Sequence, residues 1–166
     1  MKSNGSTYVA LVIAALVGYF VYQWWFNPAR AIKQRLGQVA AALSMPAPDS
    51  DIARLERLAQ LRNYLADDVR VDVAGAQPLS SRDAVLAIVG GFRPAPGGVD
   101  VNFVDTQVTV DSADQGRAFL TVEVTTPDRQ TGERTIDSRE AMVTLARRAG
   151  NWVITSAESK RPPPPP

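Results

Sequence analysis

The side chains able to do chemistry in this chain come from a restricted set, because the sequence holds no histidine and no cysteine. That removes the commonest general base, the commonest metal ligand, thiol nucleophiles and every Ser-His or Cys-His arrangement. Any reaction must be built from carboxylates, Tyr, Lys and Arg. The workable pattern is a carboxylate whose pKa is raised by burial, set beside a donor that stabilises developing charge. Tyr64, Asp67-Asp68, Asp72 and Arg139-Glu140 are the residues worth weighing. Each has a plainer reading. Tyr64 suits a core ring with a satisfied hydroxyl, and Asp67-Asp68 suits a turn between a helix and a strand. Asp72 alternates with three valines and pairs naturally with Arg70 on a solvated strand face. Arg139 and Glu140 are neighbours on a strand and face opposite ways, so at most one can border a pocket. Neither a metal nor an organic cofactor is expected from this set.

Positioning comes first from the N-terminus. Residues 8–26 (YVALVIAALVGYFVYQWWF) carry no formal charge, and at 1.5 Å per residue they reach about 28 Å, close to the hydrocarbon thickness of a bilayer. Tyr22, Trp24 and Trp25 crowd the far end, where amphipathic rings favour the headgroup layer, and Asn27-Pro28 ends the run. The run is long for a signal peptide and leaves on bulky aromatics rather than a small-x-small site. An uncleaved single-pass anchor is therefore expected over 8–26, preceded by a short tail at 1–7. The lipid bilayer is the first partner. With 18 basic and 17 acidic residues the net charge is +1, and no long-range field points to nucleic acid.

Beyond the anchor, 29–159 has the size of one domain. Ile32, Leu36, Val39 and Leu43 lie at helical spacing, and Met45-Pro46-Ala47-Pro48 stops that helix. Asp49 or Ser50 caps a second helix whose stripe is Ile52, Leu55, Leu58, Leu61 and Leu65, leaving Arg54, Glu56, Arg57 and Arg62 solvated. Val69, Val71 and Val73 alternate as a half-buried strand. Ser80 or Ser81 caps a third helix that ends at Gly90-Gly91. From Val99 the period is two; it slips by one residue after Phe103, the signature of a β-bulge. Three further strands follow at short turns, the last entered through Ala149-Gly150-Asn151. Lys160-Arg161 and five prolines, residues 160–166, form a Pro-rich tail expected to be disordered. The fold class is α+β, three helices on one face of a curved antiparallel sheet.

This order, with Leu61-Arg62-Asn63-Tyr64-Leu65-Ala66-Asp67-Asp68-Val69, Ser81-Arg82-Asp83-Ala84-Val85 and Gly150-Asn151-Trp152-Val153-Ile154, resembles the NTF2-like superfamily, with its SnoaL-like and ketosteroid-isomerase-like members. The resemblance spans roughly residues 31–159. It implies a cone with a pocket between helices and concave sheet, on a fold that serves enzymes, binding proteins and assembly factors. Isomerase-like members place a carboxylate base near the end of the first strand and a helix tyrosine at the oxyanion; Asp72 and Tyr64 are the counterparts. Strand alternation points Asp72 away from the cone. Dehydratase-like members need a histidine, which is missing. Epoxide-hydrolase-like members need an Asp-Arg-Asp cluster, for which Asp105, Asp137 and Arg139 are the available residues. Tyr64, Asp105 and Arg139 are accordingly the pocket candidates. The layout of short tail, single span and NTF2-like domain also resembles the inner-membrane assembly factor of type IV secretion systems.

Together these features favour a membrane-anchored NTF2-like binding or scaffold module, a homodimer or a subunit of a membrane complex. Its domain is expected outside the cytoplasm. The alternative is a SnoaL-type isomerase or lyase acting on a small hydrophobic molecule.

Overall fold

The computed structural model describes residues 11–19, 27–94, 96–128 and 131–159. Residues 11–19 are helical and exposed. Three more helices and five strands follow: α1 (Pro28–Leu43), α2 (Asp51–Tyr64), β1 (Leu65–Val73), α3 (Arg82–Gly91), β2 (Asp100–Ser112), β3 (Gln115–Pro127), β4 (Arg134–Arg148) and β5 (Asn151–Ser159). Among the described residues no helix is long and apolar enough to cross a membrane. The rest of the expected span, with Tyr22, Trp24 and Trp25, lies outside the described residues, as does the Pro-rich tail.

The helices start where side chains can satisfy free amides. Asn27 accepts from the Ala29 amide, Ser50 from Ala53 and Ser81 from Ala84. On α1, Ile32, Leu36 and Val39 are buried as their spacing predicts. They join Leu61, Leu65, Val69, Leu120, Leu145, Trp152 and Ile154 in one core between helices and sheet.

Helix α2 departs from its expected face. Ile52 and Leu55 are 73% and 67% exposed, whereas the side chains of Arg54 and Arg57 are only 17% and 12% exposed. The reason is angular. A strict i+3 ladder drifts about 60° per step on a helix of 3.6 residues per turn, so Ile52 lies roughly opposite Leu61. Arg54 and Arg57, seven and four residues before Leu61, share its side. There they close on Asp49, whose side chain is 6% exposed and accepts from both guanidinium groups.

The sheet is mixed, not wholly antiparallel. Its order is β1-β5-β4-β3-β2, with β2 to β5 an antiparallel meander and β1 parallel to β5. The chain crosses from one sheet edge to the other through α3, so the meander returns to β1 in its own direction. β1 also begins earlier than its valine pattern suggests. Asp67 and Asp68 are strand residues beside a register shift, not a turn, paired with Arg82 and Arg148. Val69 is fully buried, Val71 half-buried, and Val73 exposed at the strand end.

A bulge is present, but two residues beyond the slip expected after Phe103, where the ladder stays in register. Val104 faces Thr121 and Gln107 faces Phe119, so Asp105 and Thr106 together oppose Leu120. Asp105 adopts φ 51°, a left-handed conformation that Asp tolerates better than most residues. Farther along, Gly116 lets α1 approach the sheet: a Cβ there would lie 2.6 Å from Ile32 Cδ1.

Candidate ligand cavity in the cone

Alternation sorts the sheet into two faces. Leu120, Val122 and Val124 of β3 stand opposite Ala141, Arg139 and Asp137 of β4, and Phe103 and Val101 of β2 continue the same face. This is the concave side, covered by α1, α2 and α3. Between them lies a cavity of about 320 Å³, within the size range of small-molecule sites. Its walls are Val39 and Leu43 of α1, Leu61 of α2, Val85 of α3, and the inward aliphatic and aromatic residues of all five strands.

Polar groups gather only where the strands run out. Asp72, Asp137, Arg139, Glu158 and Ser159 border the cavity at one end. β5 stops at Ser159, opposite Ala141, so β4 continues beyond it with Arg139 and Asp137. Arg139 and Asp137 are both exposed and hold each other at 3.2 Å. Asp72 pairs with Glu158 in register, both on the side of the sheet opposite Val71, Val73, Ala157 and Ser159. Ser159 is different: its Oγ is buried and has no hydrogen-bond partner among the described residues.

The residues singled out in the sequence fall in separate places. Asp72 is exposed. Tyr64 is half-buried beneath Arg35, whose guanidinium carbon lies 4.7 Å from the ring centroid, and it is not part of the cavity wall. No hydrogen bond joins Asp72 and Tyr64 among the described residues. Asp105 sits at the bulge and borders a depression on the convex face with Glu140, Phe119 and Met142. Arg139 and Asp137 border the cavity, so the structure brings two members of the Asp105, Asp137 and Arg139 set together and leaves Asp105 on the other face. Among the described residues no group of three acidic side chains is placed to hold a metal ion. Ser159 escaped the sequence reading, since a serine at a strand end carries no signal until the strand's neighbours and length are known.

Electrostatic tuning lies away from the cavity. The Arg57 guanidinium beside Asp49 holds that carboxyl below its ordinary range, helped by Arg54. Arg148 does the same for Asp68, and Arg117 for Asp111.

No family model matches the sequence, and no curated protein is similar to it. Solved structures do match in shape. An NTF2-like protein of unknown function from Pseudomonas putida is 16% identical with a TM-score of 0.62, over 82% of this chain and 87% of that one. The hexachlorocyclohexane dehydrochlorinase LinA-type3 from Novosphingobium barchaimii is 13% identical with a TM-score of 0.63, over 81% and 86%. The association domain of C. elegans CaMKII is 13% identical with a TM-score of 0.59, over 81% and 99%. A dehydrochlorinase and an association domain on one backbone illustrate that shape does not select a function here. What these likenesses and the concave cavity do establish is the architecture: the chain has the NTF2-like fold.

Proposed function

We propose that this chain is a membrane-anchored NTF2-like module that binds a small apolar molecule without transforming it, and that it works as a homodimer or as a subunit of a membrane complex. The observation that carries the reading is the cavity, with apolar walls throughout and polar groups confined to one end. A buried base of raised pKa, which carboxylate catalysis requires, has poor candidates there. Asp137 is exposed and held by Arg139, and Asp72 lies on the other face of the sheet. The anchor is supported by the uncharged run 8–26 and by its described part. In residues 11–19, Leu11, Val12, Ile13, Leu16, Val17 and Tyr19 are all exposed, an apolar surface that a lipid environment would cover. We place the domain on the extracytoplasmic side, on the resemblance of its layout (short tail, single span, NTF2-like domain) to the inner-membrane assembly factor of type IV secretion systems.

The SnoaL-type isomerase or lyase remains the second reading, favoured by neighbours of the same fold that include a dehydrochlorinase and a putative scytalone dehydratase. Titration of the chain from Pro28 onward with the neutral dye Nile red separates the two. A saturable fluorescence rise is expected in the parent, with loss of that rise in a Val122→Phe variant that fills the cavity and keeps its circular dichroism. Equal dye binding by parent and variant would sink the cavity reading. Turnover of an apolar ketone or halide, abolished by Asp137→Asn, would transfer the case to the enzyme.

A further inference from the structure

One end of the domain follows directly on the proposed anchor. Asn27 caps α1 and Pro28 opens it, so a single residue separates the run 8–26 from the domain. The first turn of α1 lies against the start of β3, where Ile32 meets Gly116. Beyond its other end, Met45 pairs with Val99 just before β2. The 16 residues of α1 thus run along the sheet for about 24 Å. Its N-terminal end is shared by the β2–β3 hairpin and the β4–β5 turn, which the Arg147 amide joins by donating to the Asp114 carbonyl.

This end is basic although the domain is not. All 17 acidic residues lie within 28–159, whereas Lys2, Lys160 and Arg161 of the 18 basic ones lie outside it. At the anchored end the balance reverses. Asp68 and Asp111 are each held by one arginine, Arg148 at 3.0 Å and Arg117 at 2.7 Å, and Asp67 is held by Arg82. On the β1 edge, Arg70 and Asp83 offset one another. Lys33, Arg147 and Arg62, the last on the final turn of α2, are exposed and have no acidic partner among the described residues. Arg35, over the Tyr64 ring, has none either. Against these cations stands one unpaired acid, Asp114. Basic groups held within a Debye length of an anionic bilayer are drawn to it, and the anchor holds these at that distance.

Resting on the anchored reading above, we infer that this end of the domain seats on anionic lipid headgroups through Lys33, Arg62 and Arg147. The contact stands α1 away from the bilayer and turns the polar end of the cavity toward water. It depends on the charge of the adjoining leaflet and not on which side of the membrane that leaflet faces.

The chain holds no cysteine, so a single introduced one can carry a fluorophore. Asn151→Cys labels the β4–β5 turn, and Gln77→Cys labels the loop beyond β1, near the polar end of the cavity. Each full chain is placed in nanodiscs of equal parts phosphatidylglycerol and phosphatidylcholine, with a trace of lipid bearing a nitroxide on its headgroup as quencher. The dye at 151 is expected to be quenched roughly threefold or more strongly than the dye at 77. That excess should shrink in phosphatidylcholine alone and in about 0.5 M salt. Combining Lys33→Gln, Arg62→Gln and Arg147→Gln, with the fold checked by circular dichroism, should bring the anionic discs to the neutral-lipid value. Lys33→Arg, Arg62→Lys and Arg147→Lys together should keep the parent value. Equal quenching at the two sites, stronger quenching at 77, or quenching at 151 indifferent to lipid charge overturns the seating and leaves the anchor standing. A full chain that high salt strips from the discs has no span, and the anchor and the seating then fall together.

Discussion

Asp49 shows how little a residue's type says about its environment. It lies in the connection between α1 and α2, yet its carboxylate is nearly enclosed and accepts from Arg54 and Arg57. Its folded pKa is lowered, first by the hydrogen bond from Arg57. A lowered folded pKa means that the stabilisation is fully present above the unfolded value near 3.8 and is lost as pH falls through the folded value. Asp68 and Asp111 act with the same sign. Acid unfolding followed by circular dichroism should therefore set in below about pH 4. Asp49→Asn should lower the unfolding midpoint at pH 7 and flatten the acid limb. A variant as acid-sensitive as the parent would contradict this assignment. Ala149 supplies a second test. Ala149 and Gly150 have φ 49° and 82° and join β4 to β5 as a two-residue turn. Such turns favour Asn-Gly. Ala149→Asn should stabilise by about 0.5–1 kcal/mol, readable as a shift in the urea midpoint; an unchanged or lower midpoint would refute it.

At the scale of elements, the first half of α2 departs from expectation: Arg54 and Arg57 turn inward and Ile52 and Leu55 face water, while Leu61 joins the core and Arg62 stays exposed as expected. The stability order should follow the structure and not hydropathy. Leu55→Lys is expected to stay within about 0.5 kcal/mol of the parent, as surface substitutions do. Arg57→Ala should cost several times more, because it strips Asp49 of a partner in an enclosed site. A larger loss from Leu55→Lys would mean that its face is covered in solution. The contact of α1 with β3 depends on Gly116, whose missing Cβ admits Ile32. Gly116→Ala should destabilise by about 1–3 kcal/mol, the usual cost of overpacking, and the added truncation Ile32→Val should recover part of that loss.

For the whole molecule, the proposed anchor and assembly have separate tests. The full chain should fractionate with membranes and need detergent for release, while the chain lacking residues 1–27 should be soluble and folded, since the core among the described residues lies beyond that point. An insoluble truncation beside a folded full chain would remove the case for an independent domain. The convex sheet face, where Phe119 and Ile136 are exposed, is the surface proposed for self-association. Anchoring raises the local concentration, so weak contacts there would populate. Thr121→Arg should then lower the mass seen in detergent by analytical ultracentrifugation, and a parent that is monomeric throughout a wide concentration range would remove the homodimer. A reporter fused after Ser159 and active only in the cytoplasm would overturn the proposed extracytoplasmic side.

Local pattern alone carried much of the architecture. The buried stripe Ile32, Leu36 and Val39, caps at Asp49 or Ser50 and at Ser80 or Ser81, a bulge in β2 and the meander of β2 to β5 were legible because helix and strand periods are properties of neighbouring residues. The missing histidine and cysteine likewise restricted the chemistry before any fold was known. Long-range placement was not legible. The parallel pairing of β1 with β5 depends on which sheet edge the chain reaches after α3. The inward turn of Arg54 and Arg57 depends on an acid in a neighbouring loop. The cavity end formed by Arg139, Asp137 and Ser159 depends on β5 stopping where β4 continues. Each joins residues far apart in sequence, whose association is decided by packing and register in the folded chain.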